Sequence, residues 1–254
     1  GRSAGGGWEG GVWGGVAGIL EAAEERIARA AERAERSPAT VGLLVVSKTW
    51  PAQVIQEVLA AGHDLLGENK LQDAVAKIPE LPPTTRWHFI GHLQRNKARK
   101  ALELFEAIHS VDSLRLARHL DRLAGELELR QRVYLQVNAA GEESKSGFRA
   151  AELHAGMEEL SALANLRVEG LMSIPPAVET PEEARSSFRE LRALRDELQD
   201  RSGVSLPGLS MGMSHDFEVA IEEGATIVRV GSSIFGARIV GPPASPNETR
   251  NAGD

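Results

Sequence analysis

VGLLVVSK, residues Val41–Lys48, is a nearly unbroken apolar run, rich in valine and closed by a lysine. A strand with one wet face alternates apolar and polar residues. A strand covered on both faces by helices reads as a continuous apolar run, as this one does. Pro51 follows at a point where a helix can start, since the first turn makes no use of the missing N–H. Val54, Ile55, Val58 and Leu59 then fall on one face of that helix. The stretch therefore reads as one βα step of a parallel sheet.

The same step returns along the chain. Strand candidates are Leu65–Glu68, Trp87–Gly91, Ala107–Asp112, Val133–Asn138, Val168–Ile174, Leu206–Gly212 and Thr226–Gly231, each followed by a helical pattern or a helix-start signal. With Val41–Lys48 they make eight βα steps, and this predicts an α/β fold, a single (β/α)8 TIM-type barrel. An open doubly wound sheet is the alternative, because a count of strands does not show closure. Before the first strand, Ile19, Leu20, Ala23, Ile27 and Ala30 mark an extra N-terminal helix over Gly18–Glu35, placed to plug or flank the barrel. Residues 1–16, rich in glycine, read as a flexible leader, 17–238 as the barrel, and 239–254, rich in Pro, Asn and Gly, as a disordered tail. Gly5, Gly7 and Gly10 fit G-x-G-x-x-G in form, but no strand precedes them and the match carries nothing.

Composition narrows the function. The 254 residues carry a net charge of -7, and an acidic chain of this kind is not expected to bind nucleic acid. No apolar run is long enough to span a bilayer, so no membrane association is expected. Cysteine is absent, which excludes disulfides and thiolate chemistry and suits a reducing, cytoplasmic setting. His88 and His92 flank a strand end, with no H-E-x-x-H and no compact carboxylate cluster, so no metal site is expected. Arg95, Lys97, Arg99 and Lys100 form a basic patch that reads as a solvated face or an anion site.

In a barrel of this type functional groups stand at the C-terminal ends of the strands. Lys48 is one of them. It reads either as an amine made nucleophilic by a partly desolvated setting, or as a lysine reaching out into water; position favours the second. The segments SMGMS (Ser210–Ser214) and VRVGSSIFG (Val228–Gly236) end the last two strands in glycine and serine. Loops in that place commonly cradle phosphate, with backbone N–H groups and hydroxyls as donors; plain helix capping is the alternative. Arg229 points to the same side as Ile227 and Gly231 and needs an acceptor, either a ligand ring nitrogen or a carboxylate such as Glu68 or Asp112.

The motifs VVSKT (Val45–Thr49), GEN (Gly67–Asn69), WHFIGHLQRNK (Trp87–Lys97), KSG (Lys145–Gly147), GLMSI (Gly170–Ile174), SMGMSHDFEVAI (Ser210–Ile221) and VRVGSSIFGAR (Val228–Arg238) together resemble the pyridoxal phosphate homeostasis protein family over about residues 19–238. The resemblance implies PLP fold type III, like the N-terminal barrel of alanine racemase, with pyridoxal 5′-phosphate (PLP) as cofactor. It implies that Lys48 forms the Schiff base and that Arg229 faces the pyridine nitrogen. It places Ser214, Gly231 and Ser232 at the phosphate, and Asn69, His92 and Met213 along the same pocket. It further implies a monomer that buffers PLP, delivers it to PLP-dependent apoenzymes and influences amino-acid balance, without efficient catalytic turnover. A PLP-dependent amino-acid racemase or another slow PLP enzyme is the alternative. His215 departs from the family pattern, where a smaller or acidic residue is common after GMS.

Overall fold

The structure is a computed structural model that describes residues 9–138 and 146–231, with side chains from residue 15 onward. Eight parallel strands close into one barrel in the order β1 to β8, and β1 pairs with β8 through Leu44 opposite Arg229. The strands are β1 (Gly42–Val46), β2 (Leu65–Glu68), β3 (Arg86–Phe89), β4 (Ala107–Val111), β5 (Gln131–Gln136), β6 (Leu166–Met172), β7 (Gly208–Met213) and β8 (Ile227–Val230). All eight lie within or against the predicted stretches, and closure removes the open-sheet alternative. The helices are α1 (Glu9–Arg33), α2 (Ala52–Ala60), α3 (Leu71–Lys77), α4 (Ala98–Leu104), α5 (Leu114–Glu126), α6 (Ala150–Ala162), α7 (Arg185–Ser202) and α8 (Phe217–Glu222).

α1 begins earlier than the sequence pattern suggests. It takes in residues 9–16 of the stretch read as a leader, and Val16 is already buried. The reason is a stripe, Val16, Leu20, Ala23, Ile27 and Ala30, that sits on one helix face and continues the periodicity one turn back. This helix flanks the barrel between α8 and α2. Arg26 binds Glu218 through Nε at 3.0 Å and lies 4.6 Å over the Phe217 ring, while Arg36 donates to the Ile221 carbonyl at 2.7 Å. The tail read over 239–254 lies outside the described residues, as does Ser232.

Two cores result from the strand period of two. Leu43, Val45, Leu66, Phe89, Ile108, Val133, Leu209, Val228 and Val230 face outward and pack under the helices in one continuous apolar layer. Leu44, Leu65, Tyr134, Met172 and Ile227 face inward as a second, small cluster. Four further buried residues, His88, His109, Ser210 and Arg229, are threaded by hydrogen bonds beside it.

Candidate functional site

A cavity of about 580 Å³ opens among the C-terminal strand ends and the loops that follow them. Lys48, Asn69, His92, Met213, Ser214, Arg229 and Gly231 all line it. These seven belong to five separate sequence motifs, and barrel closure brings them around one space. Residues it had not picked also line the cavity, among them Ile90, Gln136, Ser146 and Ile174. Ile174, Ser146 and Ile90 lie inside motifs already noted, whereas Gln136 looks like an ordinary strand residue and carries no signal.

Lys48 projects from a tightly fixed turn. Its neighbour Ser47 is held three ways: its N–H donates to the Gly67 carbonyl at 3.0 Å, its hydroxyl donates to Glu68 Oε1 at 2.8 Å, and its carbonyl accepts from Lys77 Nζ at 2.9 Å. Lys77 also binds Glu68 Oε1 at 2.8 Å. Thr49, just after Lys48, has φ 66, a left-handed conformation that costs a β-branched residue on the order of 1–3 kcal/mol. The surrounding bonds maintain that strain and so fix where Lys48 leaves the strand. Lys48 itself is exposed at the mouth and makes no hydrogen bond or ion pair among the described residues. Glu68 does not reach the cavity. It is wholly buried on the outer side of β2 with Lys77, which removes it as the carboxylate partner suggested for Arg229.

Asn69 follows Glu68 and turns into the cavity. Its Oδ1 is buried and has no partner among the described residues, so it is an acceptor waiting for a donor. The chain crosses here with no room to spare: a Cβ on Gly91 would lie 1.9 Å from the Asn69 carbonyl oxygen, so only glycine fits. Next to it His92 is largely exposed, with Nδ1 3.6 Å from Asp112 Oδ2; burial pushes the Asp112 carboxyl above its ordinary value, and the facing His92 opposes this. His88, four residues earlier, turns into the barrel and bonds to His109, which agrees with a structural role.

Arg229 is 4% exposed and finds neither Glu68 nor Asp112. Its acceptors are the Ser210 carbonyl at 3.0 Å, the Ser210 hydroxyl at 2.7 Å and the Ser173 carbonyl at 2.9 Å. Carbonyls satisfy the guanidinium without neutralising it. Burial lowers its pKa to about 10, opposed by Asp216, so it stays charged at neutral pH. These contacts use three of its five donors and leave the others for the cavity it lines.

The phosphate loops differ in detail from the sequence reading. The Gly231 amide is not free: it donates to Ser214 Oγ at 3.0 Å. The Met213 amide likewise donates to Asp216 Oδ1 at 2.8 Å. α8 has only six residues and starts behind Asp216, so its N-terminus is no anion site. What remains is the Ser214 hydroxyl, which accepts from Gly231 and keeps its own proton to donate. Gly212 makes the bend possible, with φ +98 and a Cβ position 2.6 Å from Ala220 Cβ. The basic patch is partly spent, since Arg99 pairs with Glu126 and Lys100 with Glu103. Among the described residues there is no cluster of three or more metal-binding side chains, and no helix is long and apolar enough to cross a membrane.

The donor set fits PLP by its chemistry. It offers an unpaired amine for an aldehyde, a hydroxyl donor for a phosphate, a cationic N–H donor for a ring nitrogen and an unpartnered amide oxygen.

Comparison with known proteins agrees with this architecture. The family profile of the alanine racemase N-terminal domain matches residues 19–239. The pyridoxal phosphate homeostasis protein of Aquifex aeolicus is 47% identical over 215 residues, covering 84% of this chain and 94% of that protein. Its counterpart in Pseudomonas aeruginosa is 48% identical over 223 residues, covering 87% and 94%. The solved structure of PipY from Synechococcus elongatus, with PLP bound, superposes with a TM-score of 0.75 at 44% identity, covering 84% of this chain and 99% of that one. An alanine racemase from Clostridium difficile shares the fold at 14% identity, with a TM-score of 0.67 over 91% of this chain and 57% of that one. With most of its length matched at such identity, this chain belongs to the pyridoxal phosphate homeostasis protein family, built on the alanine racemase N-terminal barrel.

Proposed function

We propose that this chain binds PLP at the barrel mouth, with Lys48 holding it as a Schiff base, and that it stores and delivers the cofactor. The observation that carries this reading is the convergence of an unpaired Lys48 amine, the Ser214 hydroxyl and the Arg229 guanidinium on one cavity. In it Arg229 donates to the pyridine nitrogen, Ser214, whose oxygen the Gly231 amide holds, donates to the phosphate beside Gly231 and Ser232, and Asn69, His92 and Met213 line the ring. Bound PLP supplies an electron sink for carbanions, most effectively when its ring nitrogen is protonated. Arginine cannot give up a proton at neutral pH, so Arg229 keeps that nitrogen an acceptor and weakens the sink. Holding and handing over the cofactor to PLP-dependent apoenzymes, with an effect on amino-acid balance, then follows more readily than rapid turnover.

The racemase alternative requires an acid–base group on each face of the bound substrate. Tyr134 is the one tyrosine of the sequence, and it cannot serve. It is 5% exposed inside the barrel, and burial pushes its pKa up to about 12. In this reading the chain acts as a monomer, and the cysteine-free composition supports a cytoplasmic setting.

The test is the visible absorption spectrum of wild type and Lys48→Ala after PLP addition and desalting. The expected result is a retained band in wild type that borohydride fixes as a stable adduct on Lys48, absent in the variant. No retained band in wild type would refute PLP binding. Added L-alanine should give negligible D-alanine; turnover of roughly 1 per second, ordinary for an enzyme, would overturn the storage reading.

A further inference from the structure

A chain of buried polar groups runs through the barrel interior from the cavity to the opposite face. Arg229 Nη1 donates to Ser210 Oγ at 2.7 Å. Ser210 Oγ is 2.7 Å from His109 Nδ1, and His109 Nε2 is 2.9 Å from His88 Nδ1. His88 Nε2 has no hydrogen-bond partner among the described residues, but Glu106 Oε2 lies 3.8 Å away, beyond bonding distance. Ser210 and His109 are fully buried, and His88 is 1% exposed. The Tyr134 ring packs on His109 with centroids 4.4 Å apart. Four strands, β8, β7, β4 and β3, each contribute one residue.

The donors in this chain can be assigned by elimination. Arginine only donates, so Ser210 Oγ accepts from Arg229. The one hydroxyl proton of Ser210 then has a single acceptor within reach, His109 Nδ1. A neutral His109 carries its proton on Nε2 and gives it to His88 Nδ1. A neutral His88 carries its proton on Nε2, the atom that faces Glu106. The opposite tautomer of His109 would leave the Ser210 proton without an acceptor in a dry interior, which lowers its population roughly five- to hundredfold. Neutrality is independently favoured: burial holds His88 down to about 4 and His109 well below its ordinary value.

We propose that Ser210, His109 and His88 form a one-way hydrogen-bond relay whose role is to fix the Arg229 guanidinium against the cavity, making them positioning residues for whatever Arg229 contacts. That the contact is the PLP ring nitrogen rests on the proposed function. The relay itself does not. Without it, Arg229 keeps its two carbonyl acceptors but loses the hydroxyl that anchors Nη1 from below. With it, the orientation of one cation depends on the tautomers of two histidines that never touch the cavity.

The experiment has two arms on the full chain. The first reads histidine tautomers by long-range ¹H–¹⁵N correlation, with and without PLP. His88 and His109 should both carry their proton on Nε2 in either state; a proton on His109 Nδ1, or a doubly protonated ring near neutral pH, would overturn the relay. The second arm compares PLP affinity and the absorption maximum of bound PLP in Ser210→Ala, His88→Leu and His88→Asn. Ser210→Ala and His88→Leu should weaken PLP binding roughly tenfold and shift the band, while borohydride still fixes the cofactor on Lys48. His88→Asn keeps an acceptor near the Nδ1 position and should restore wild-type values. If Ser210→Ala does not fold, the His88 pair carries the comparison. Unchanged affinity and spectrum in Ser210→Ala, or equal behaviour of His88→Leu and His88→Asn, would sink the positioning role. If wild type fails to bind PLP at all, the proposed function falls and the tautomers still judge the relay.

Discussion

The two sides of the barrel wall are built by different physics. Between the strands and the helices, Phe89, Phe188, Phe217, Ile55, Leu120 and Leu153 are packed to near-zero exposure in one apolar layer. Inside the wall, a five-residue apolar cluster shares the space with a hydrogen-bonded series of arginine, serine and two histidines. Outer residues need only be apolar and of suitable volume, and many solutions exist. Inner polar residues need partners of the right kind at bonding distance, and a half-satisfied network is worse than an apolar one. The outer core therefore accounts for stability. The inner core accounts for the placement of Arg229.

This division predicts a graded set of outcomes. Phe188→Ala, on the buried face of α7, should cost about 3–5 kcal/mol in denaturant unfolding; a cost below about 1 kcal/mol would show that this layer is not the stabilising one. Next comes pH. His88 has its folded pKa lowered to about 4, chiefly by burial, which Glu106 opposes and Arg132 and Arg86 reinforce. The unfolded state therefore takes up a proton near 6.5 that the folded state refuses. The associated stability is complete above about 6.5 and is lost as pH falls toward 4, by about 3 kcal/mol at most. His109 acts in the same direction. Wild type should thus lose stability between pH 6.5 and 4 more steeply than His88→Asn; parallel curves would remove the effect.

Arg229→Met should change unfolding free energy by less than about 1.5 kcal/mol, because relief of a buried charge offsets the lost hydrogen bonds. PLP affinity should fall in the same variant. A loss above about 3 kcal/mol would make the guanidinium a stabilising element and blur the contrast between the two cores. Smallest is Arg26→Ala, which removes a part-buried bond from α1 to Glu218 and should cost roughly 0.5–1 kcal/mol. The cost should shrink at high salt; an unchanged cost would point instead to lost packing on Phe217.

How much of this was legible beforehand varies with the kind of signal. Val41–Lys48 and its seven repeats announced a buried parallel sheet because strand burial on both faces is written directly as apolar runs. Seven of the eight residues expected at the site line one cavity, since strand ends and glycine–serine loops mark the barrel mouth in sequence. Ser232 lies outside the described residues. The partner of Glu68 is not legible, because a carboxylate at a strand end reads the same whether it faces the mouth or Lys77. The start of α1 is not legible because the sequence ahead of Val16 is rich in glycine, a weak helix former.

The linear pattern of apolar runs and turn residues thus established the βα alternation, the extra helix and the identity of the groups at the mouth, all properties of neighbouring residues. Closure, the direction of Arg229 and the bonding of His88, His109 and Ser210 depended on residues up to 185 positions apart, the separation of the paired Leu44 and Arg229. Hydrogen bonds act over about 3 Å in space and leave no periodicity along the chain, so folding alone could bring those partners together.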